Sequence, residues 1–353
     1  MFYRENGQFK SSYRADQQIL PIAQDRIAML VLLLVAFVVV PLGVSDYWMR
    51  AILTPFLILS LAALGLNILV GYCGQISLGT GAFMAIGAYA AFNLQVRFDL
   101  PLLLSLIGGG LAATVFGVLF GIPSLRIRGL YLAVATLAAQ FFTDWFTNRV
   151  KWVTNDSPSG SVSVGGLSFF GVAVETPAQK YLLCLAIVCV FALLAKNLVR
   201  GAIGRQWMAI RDMDVAAAVI GIRPVYAKLS AFAVSSFIVG VAGALCAFVH
   251  LGSWEPAAFS IDRSFQLLFM VIIGGLGSIS GAFFGAAFMV LLPLLLNYVP
   301  HWLGLPLSTA TASHLEHMIF GALIVFFLIV EPHGLARLWL TAREKLRLWP
   351  FPH

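Results

Sequence analysis

The sequence contains few charged residues. Asp, Glu, Lys and Arg make up 10% of the 353 residues, against roughly a quarter in soluble domains. Hydrophobic residues make up 60%, in blocks close to the length of a membrane-spanning helix. A soluble core cannot hide that much apolar surface. We therefore predict an all-α membrane protein, because a helix in lipid satisfies its own backbone polar groups.

Signatures of catalysis are also absent. No Gly-x-x-x-x-Gly-Lys-Ser/Thr stretch occurs, so the chain does not hydrolyse ATP through a P-loop. The four cysteines form no CxxC pair, which argues against a metal site or a disulfide framework. Two histidines beside Glu316 are interpreted as an interfacial polar patch. We predict that the chain is not an enzyme and carries no cofactor.

Ionisable side chains are rare inside the apolar blocks. A proton- or sodium-coupled transporter usually places carboxylates or histidines at mid-span, and none is found there. This argues against ion coupling without excluding it, because carbonyls and hydroxyls alone can bind Na⁺. The net charge of +7 fits the positive-inside bias of membrane proteins. No basic patch with interleaved aromatic residues indicates nucleic-acid binding.

The apolar blocks predict about ten transmembrane helices, some of them short or broken. They lie near 27–44, 51–70, 76–95, 100–122, 129–147, 179–197, 229–250, 264–276, 279–297 and 316–332. The first is predicted to be a retained span, because no cleavable signal peptide precedes it. With the N-terminus inside, most of the 22 Lys and Arg residues fall on the inner side, which favours two cytoplasmic termini.

This topology divides the chain into three parts, the middle one containing two long loops. Cytoplasmic segments at 1–26 and 336–353 flank a transmembrane domain at 27–335. Within that domain, 148–178 forms an external loop rich in Ser and Gly. Such a loop caps a pore, meets a partner or is a solvated connector. The segment 198–227 forms a cytoplasmic loop.

Two glycine-rich segments interrupt the apolar pattern at corresponding places in the two halves. Gly74–Phe83 reads GQISLGTGAF, and Gly274–Phe283 reads GGLGSISGAF. We predict broken helices at 71–79 and 274–280, a pattern typical of an internal repeat with a central substrate path. Five uncharged polar residues near the breaks are predicted to line a weakly polar path, with interhelical hydrogen bonding as the alternative role. They are Asn67, Gln75, Ser77, Thr80 and Ser278.

The cytoplasmic loop contains a predicted helix that carries both apolar and charged groups. Good helix formers such as Ala, Met, Ile and Arg dominate from Ile203 onward. Gly221 is a natural helix stop, and Pro224 follows closely, as is common beyond a helix end. The pattern predicts a short surface helix over 203–221.

These segments together resemble the permeases of the branched-chain amino-acid ABC importer family, in particular its LivM-like branch. The resemblance extends over roughly residues 50–337, and four segments in the right order carry it. They are Leu66–Gly79 with Gly81–Phe83, Leu125–Ala133, Gly204–Ile222 and Ile272–Gly281.

The resemblance implies a multi-pass subunit of the bacterial inner membrane. A second homologous permease, two ATP-binding subunits, a periplasmic substrate-binding protein and membrane lipid are the expected partners. ATP turnover in the partner subunits would move the loop helix as a lever and switch access across the membrane. Branched-chain or related amino acids would thereby move inward. The residues expected to transmit the movement are Arg211, Asp214, Ala217 and Gly221.

The docking helix departs from the pattern that ABC importers generally show, Glu-Ala-Ala…Gly. Val215 occupies the Glu place, and Asp212 and Asp214 lie just upstream, so the carboxylate that would dock the ATPase is left open. The identity of the substrate is also left open, because permeases for urea, amides or small aromatic acids resemble this sequence in the same segments. The alternatives from other classes are a self-contained channel or ion-coupled transporter and a membrane-embedded enzyme.

Overall fold

The computed structural model describes residues 11–12, 23–122, 130–157, 159–166, 168–169, 172–302 and 334–348, with short pieces between 315 and 329. Helices dominate this part of the chain. They are α1 Gln24–Gly43, α2 Asp46–Tyr72, α3 Thr80–Phe98, α4 Leu102–Gly121, α5 Leu130–Arg149, α6 Pro177–Arg200, α7 Ala202–Val219, α8 Pro224–Leu251, α9 Ile261–Gly274, α10 Ile279–Trp302 and α11 Gly334–Leu348. A 3-10 turn, Pro256–Phe259, precedes α9.

Six helices of the described part are long and apolar enough to cross a membrane: α1, α2, α4, α6, α8, and α9 together with its 3-10 turn. The all-α membrane architecture predicted from the sequence is therefore confirmed. The predicted number of crossings stays a prediction. The last predicted crossing, 316–332, lies mostly outside the described residues.

Several boundaries differ from those predicted. The third predicted crossing begins at 76, whereas α3 begins at Thr80, because the glycine-rich stretch before it is not helical. The predicted loop helix is kinked: Met213 has φ −156° and ψ 95° inside α7. Two aspartates flank this residue, and Asp competes with helical hydrogen bonding through its own side chain. The tail over 336–353, predicted only as cytoplasmic, lies partly in α11, which already begins at Gly334.

Glycines bring α3, α4 and α8 into close contact. A Cβ on Gly87 would collide with the backbone of Gly240, and one on Gly109 would collide with the Gly87 carbonyl. Gly243 likewise lies directly against the backbone of Met84. Small residues at such crossings let helix backbones approach closely in lipid. These contacts form a rigid core beside the broken helices.

Helix α1 is unlike the others, because none of its apolar stretch is buried against the chain. The Tyr181 hydroxyl of α6 donates to the Ala36 carbonyl oxygen at 3.2 Å. Arg343 of α11 donates to both carboxylate oxygens of Asp25, at 2.7 and 3.0 Å. The beginning of α1 and the C-terminal helix α11 thus lie on the same side of the protein.

The loop predicted over 148–178 is anchored to the C-terminal half of α3. Asn93 Nδ2 donates to the Val153 carbonyl at 2.9 Å, and Arg97 donates to the Trp152 carbonyl at 2.8 Å. The Tyr89 hydroxyl donates to the Gly160 carbonyl at 3.1 Å. Four two-residue strands are described here: β1 Val162–Ser163 pairs antiparallel with β4 Ser253–Trp254, and β2 Ser168–Phe169 with β3 Val172–Ala173. These contacts fix the loop to α3, and its role stays a prediction.

Candidate functional site

The two predicted helix breaks meet in space. The chain leaves α2 at Tyr72 and α9 at Gly274, and Asn67 bridges the two regions. Its Nδ2 donates to the Ser278 carbonyl oxygen at 2.6 Å, and its Oδ1 accepts from the Gly277 amide at 2.9 Å. Asn67 is fully buried. Its amide therefore satisfies backbone groups that the second break has freed, as such groups require inside a membrane protein.

Arg211 connects the loop helix α7 to this contact. Its Nη1 donates to the Gly71 carbonyl at 2.9 Å, and its Nε donates to Asp212 at 2.9 Å. Gly277 has φ +73°, and a Cβ there would lie 3.2 Å from the Gly71 oxygen and 3.3 Å from Arg211 Nη1. Glycine is favoured at such a positive φ. We call the set Asn67, Gly71, Arg211, Gly277 and Ser278 the junction.

Ser278 also caps a helix. Its Oγ accepts a hydrogen bond from the Gly281 amide at 3.1 Å, the N-cap arrangement for α10, which begins at Ile279. Two of the residues predicted for the path, Asn67 and Ser278, thus have their polar groups engaged in holding the breaks together.

The other predicted path residues lie along the first break. Ser77 is fully buried and accepts a 3.4 Å hydrogen bond from the Gly79 amide. Gln75 Oε1 and Thr80 Oγ1 are buried and have no hydrogen-bond partner among the described residues. A buried polar atom without a partner is costly. Of the five residues predicted for the path, these two carry a buried polar atom without a partner in the described part of the chain.

A buried network that the sequence did not predict joins α3, α5 and α9. The Gly81 amide donates to Ser264 Oγ at 2.7 Å, and Ser264 Oγ donates to Gln140 Oε1 at 3.1 Å. Gln140 Nε2 donates to the Phe259 carbonyl at 2.9 Å. Neither Gln140 nor Ser264 is among the residues predicted for the path. The network fixes the N-terminal ends of α3 and α9 beside each other.

The loop helix ends as predicted. Gly221 has φ +92°. Its amide donates to the Ala218 carbonyl at 3.1 Å, and the Ile222 amide donates to the Ala217 carbonyl at 3.0 Å. This double closure is the Schellman motif, which needs the left-handed residue that glycine supplies.

The side chains of α7 divide between the interior and solvent. Trp207 is fully buried and donates to Ser230 Oγ at 2.9 Å. Ala217 is 2% exposed and packs against this chain, whereas the neighbouring Ala216 and Ala218 are exposed. Asp214 Oδ2 lies 4.0 Å from the ammonium of Lys228. Five large apolar side chains on α7 or directly after it are exposed instead: Ile203, Met213, Val215, Val219 and Ile220.

Broken membrane helices that are hydrogen-bonded to the surface helix α7 are typical of a polytopic α-helical transport protein. A family model described as "Branched-chain amino acid transport system / permease component" matches residues 48–328. The chain therefore belongs to the family of branched-chain amino acid transport permease components, as the four sequence segments indicated.

Curated relatives of this chain are also named as branched-chain amino acid transport permeases. The permease protein LivM of the high-affinity branched-chain amino acid transport system of Salmonella typhimurium LT2 is 31% identical, over 80% of this chain and 69% of the relative. The protein of the same name from Escherichia coli K12 is 30% identical, over 87% and 74%. A probable LivM from Methanocaldococcus jannaschii is 24% identical, over 72% and 74%. No solved structure matches the chain.

Proposed function

We propose that this chain is a transmembrane subunit of an ATP-binding-cassette importer that moves branched-chain or related amino acids inward. The observation that carries the proposal is the bond from Arg211 to the Gly71 carbonyl, 2.9 Å long. It connects a solvent-facing helix directly to a break in a membrane helix. Such a link is what an importer needs if its driving energy comes from a separate subunit. Curated relatives named as branched-chain amino acid permeases support the substrate class.

The exposed apolar side chains of α7 are the proposed docking surface for the ATP-binding subunits. Val219 is 82% exposed and Ile220 75% exposed, and exposed apolar clusters mark interaction sites. Asp212 and Asp214 lie beside this surface, and Asp212, whose side chain is 65% exposed, is the carboxylate proposed to meet a basic partner. Two ATP-binding subunits serve a pair of permeases, this chain and a homologous second one.

The second permease and lipid cover the remaining apolar faces. Helix α1 has no buried apolar residue, and α4 exposes Leu111, Val115 and Leu119. A periplasmic binding protein delivers substrate to the side that carries the anchored 148–178 loop. The two termini lie in the cytoplasm, an orientation supported by the positive-inside pattern and by the bond between Arg343 and Asp25.

Movement of α7 acts on the substrate path through the junction. A shift of α7 displaces Arg211 and with it the Gly71 carbonyl. Because Asn67 holds Gly277 and Ser278, the second break moves with the first. The packed glycine core of α3, α4 and α8 resists bending, so access changes by movement of packed elements as units.

The path itself runs past the unpartnered Gln75 and Thr80 and the buried Ser77. Helix α3 begins at Thr80 and α9 at Ile261, and the network through Ser264 holds these two N-termini together. Helix N-termini carry partial positive charge, and broken transporter helices use them for anionic substrate groups. The carboxylate of an amino acid is proposed to pass there.

Reconstitution tests this function. The chain is placed in proteoliposomes with its second permease, the ATP-binding subunits and the binding protein. Uptake of radiolabelled leucine is then expected only with ATP enclosed in the vesicle at the ATPase face and the binding protein outside at the opposite face. Uptake that follows an ion gradient without the ATPases would overturn the proposal. Uptake of urea, amides or aromatic acids in place of leucine would move the chain to another substrate branch.

A further inference from the structure

A polar cavity lies between the first helix break and the loop helix α7. Its volume is about 450 Å³, within the range of roughly 300–1,000 Å³ found for small-molecule sites. Its lining includes Gln75 from the break, Leu132 from α5, Ile210 and Asp214 from α7, and Lys228 from α8. The lining does not include Thr80 or Ile261, where α3 and α9 begin and the substrate carboxylate is proposed to pass, but it shares Gln75 with the proposed path.

Lys228 brings a buried cation to this cavity. The residue is 7% exposed, and its ammonium lies 4.0 Å from Asp214 Oδ2, beyond hydrogen-bond distance. Among the described residues, its ammonium has no shorter polar contact. Burying an ammonium is costly unless it is paired and hydrogen-bonded. A carboxylate in the cavity would supply what Lys228 lacks.

Gln75 brings a hydrogen-bond acceptor to the cavity, which complements the cation of Lys228. It is 8% exposed, and its Oε1 has no hydrogen-bond partner in the described part of the chain. An amide oxygen accepts hydrogen bonds, so it is suited to an ammonium or amide donor. Leu132 and Ile210 are buried at the same cavity, at 2% and 5% exposure. One wall can therefore hold an aliphatic side chain.

We propose that this cavity binds a free aliphatic α-amino acid, with its carboxylate at Lys228 and its ammonium at Gln75 Oε1. The inference rests on the proposed function for its location, because the importer's orientation puts α7 and the cavity in contact with the cytoplasm. Lining residues come from both sides of the kink at Met213. A bound amino acid restrains α7 across that kink, so accumulated product slows further import.

Binding is tested by equilibrium dialysis of the purified, complete transporter against radiolabelled leucine, without ATP or binding protein. We expect saturable binding that Lys228→Met weakens at least about tenfold, the loss expected when one partner of a buried charged contact is removed. Lys228→Arg retains the charge and most of the binding. Gln75→Leu weakens binding independently, which keeps the test valid if one variant fails to fold. Lys151→Met, at an exposed lysine outside the cavity, leaves binding unchanged.

Competition with two half-ligands tests the zwitterion assignment. 4-Methylpentanoate lacks the ammonium and 3-methylbutylamine lacks the carboxylate, so both are expected to compete more weakly than leucine. A carboxylate that competes as well as leucine would identify a plain anion site and overturn the proposal. So would leucine binding that neither Lys228→Met nor Gln75→Leu changes, or no leucine binding at all.

Transport distinguishes this proposal from the proposed function. Proteoliposomes preloaded with leucine on the ATPase side are compared with empty ones, and initial uptake is expected to fall on preloading. In Lys228→Met, the initial uptake rate of preloaded vesicles divided by that of empty vesicles should return towards one, whatever the absolute uptake rate of the variant. If ATP-driven uptake fails while dialysis succeeds, the importer function is wrong and the site stands. If uptake succeeds and preloading inhibits wild type and Lys228→Met alike, the site is wrong and the importer function stands.

Discussion

The guanidinium of Arg211 donates a 2.9 Å hydrogen bond to the carbonyl oxygen of Gly71, a residue 140 positions earlier in the chain. Gly71 lies in the last turn of α2, directly before the first break. A Cβ at Gly71 would collide with Asn67 Oδ1 and with the Gly277 amide. The loop helix, both breaks and the end of a membrane helix therefore meet at this point.

Replacing Arg211 should uncouple the transporter. Arg211→Met keeps an unbranched side chain and removes the donor to Gly71. A hydrogen bond to a charged group is worth about 1.5–3 kcal/mol, so we expect uptake to fall about 10- to 100-fold while ATP hydrolysis continues. Arg205→Met on the same helix is the control, because that arginine contacts only the nearby Arg200 carbonyl among the bonds described. Equal losses in both variants would contradict a specific role for the junction.

Asn67→Leu should destabilise the protein. The change leaves the Gly277 amide and the Ser278 carbonyl buried without a partner, at about 1–3 kcal/mol each. The midpoint of thermal unfolding in detergent should fall, and Asn197→Leu, at an exposed position on α6, should leave it unchanged. An unaltered midpoint in Asn67→Leu would show that water or another group replaces the amide.

Thr80→Val should lower transport without lowering the stability of the protein. The hydroxyl oxygen has no partner among the described residues, so its isosteric removal is expected to leave thermal stability unchanged or slightly higher. Uptake should nevertheless fall if this oxygen contacts substrate. Thr143→Val is the control, because its hydroxyl bonds only to the Ala139 carbonyl of its own helix. Normal uptake by Thr80→Val would remove Thr80 from the path.

Two aspartate substitutions on α7 should fail in different ways. Ala217→Asp puts a charge where 2% of the residue is exposed, which we expect to cost about 3–5 kcal/mol as an uncompensated buried charge. Val219→Asp changes a residue that is 82% exposed, so it should keep normal stability. It should instead lose the co-purifying ATP-binding subunits. If Val219→Asp still retains those subunits, the exposed apolar face is not the docking surface.

The effect of replacing Gly221 should depend on whether the new residue can adopt the positive φ found there. No atom lies within 4 Å of a Cβ placed there, so Gly221→Ala carries only the conformational cost, about 1–2 kcal/mol. Gly221→Pro cannot reach φ +92° and also loses the bond to the Ala218 carbonyl. Uptake should fall partly in the first and be abolished in the second, with both proteins still in the membrane. Gly43→Ala, which also has open space, should have no effect.

Local patterns predicted much of the fold. The second and seventh predicted crossings, 51–70 and 229–250, lie within α2 and α8, because long apolar runs have one stable arrangement in lipid. Both glycine-rich breaks are present, and Gly221 ends α7 as predicted. The kink at Met213 was not predicted, since helix propensity along this stretch is favourable apart from two aspartates.

The sequence predicted individual residues of the candidate site but not which of them contact each other. The sequence alone determined that the chain is a membrane-spanning α-helical protein without a P-loop, because hydropathy and short motifs are local properties. Only the tertiary structure brought Asn67 to Ser278, which lies 211 residues away, and buried Ala217 while leaving Val219 exposed. Hydrogen bonds between distant backbone breaks depend on how whole helices pack. No local pattern records which carbonyl a given amide will reach.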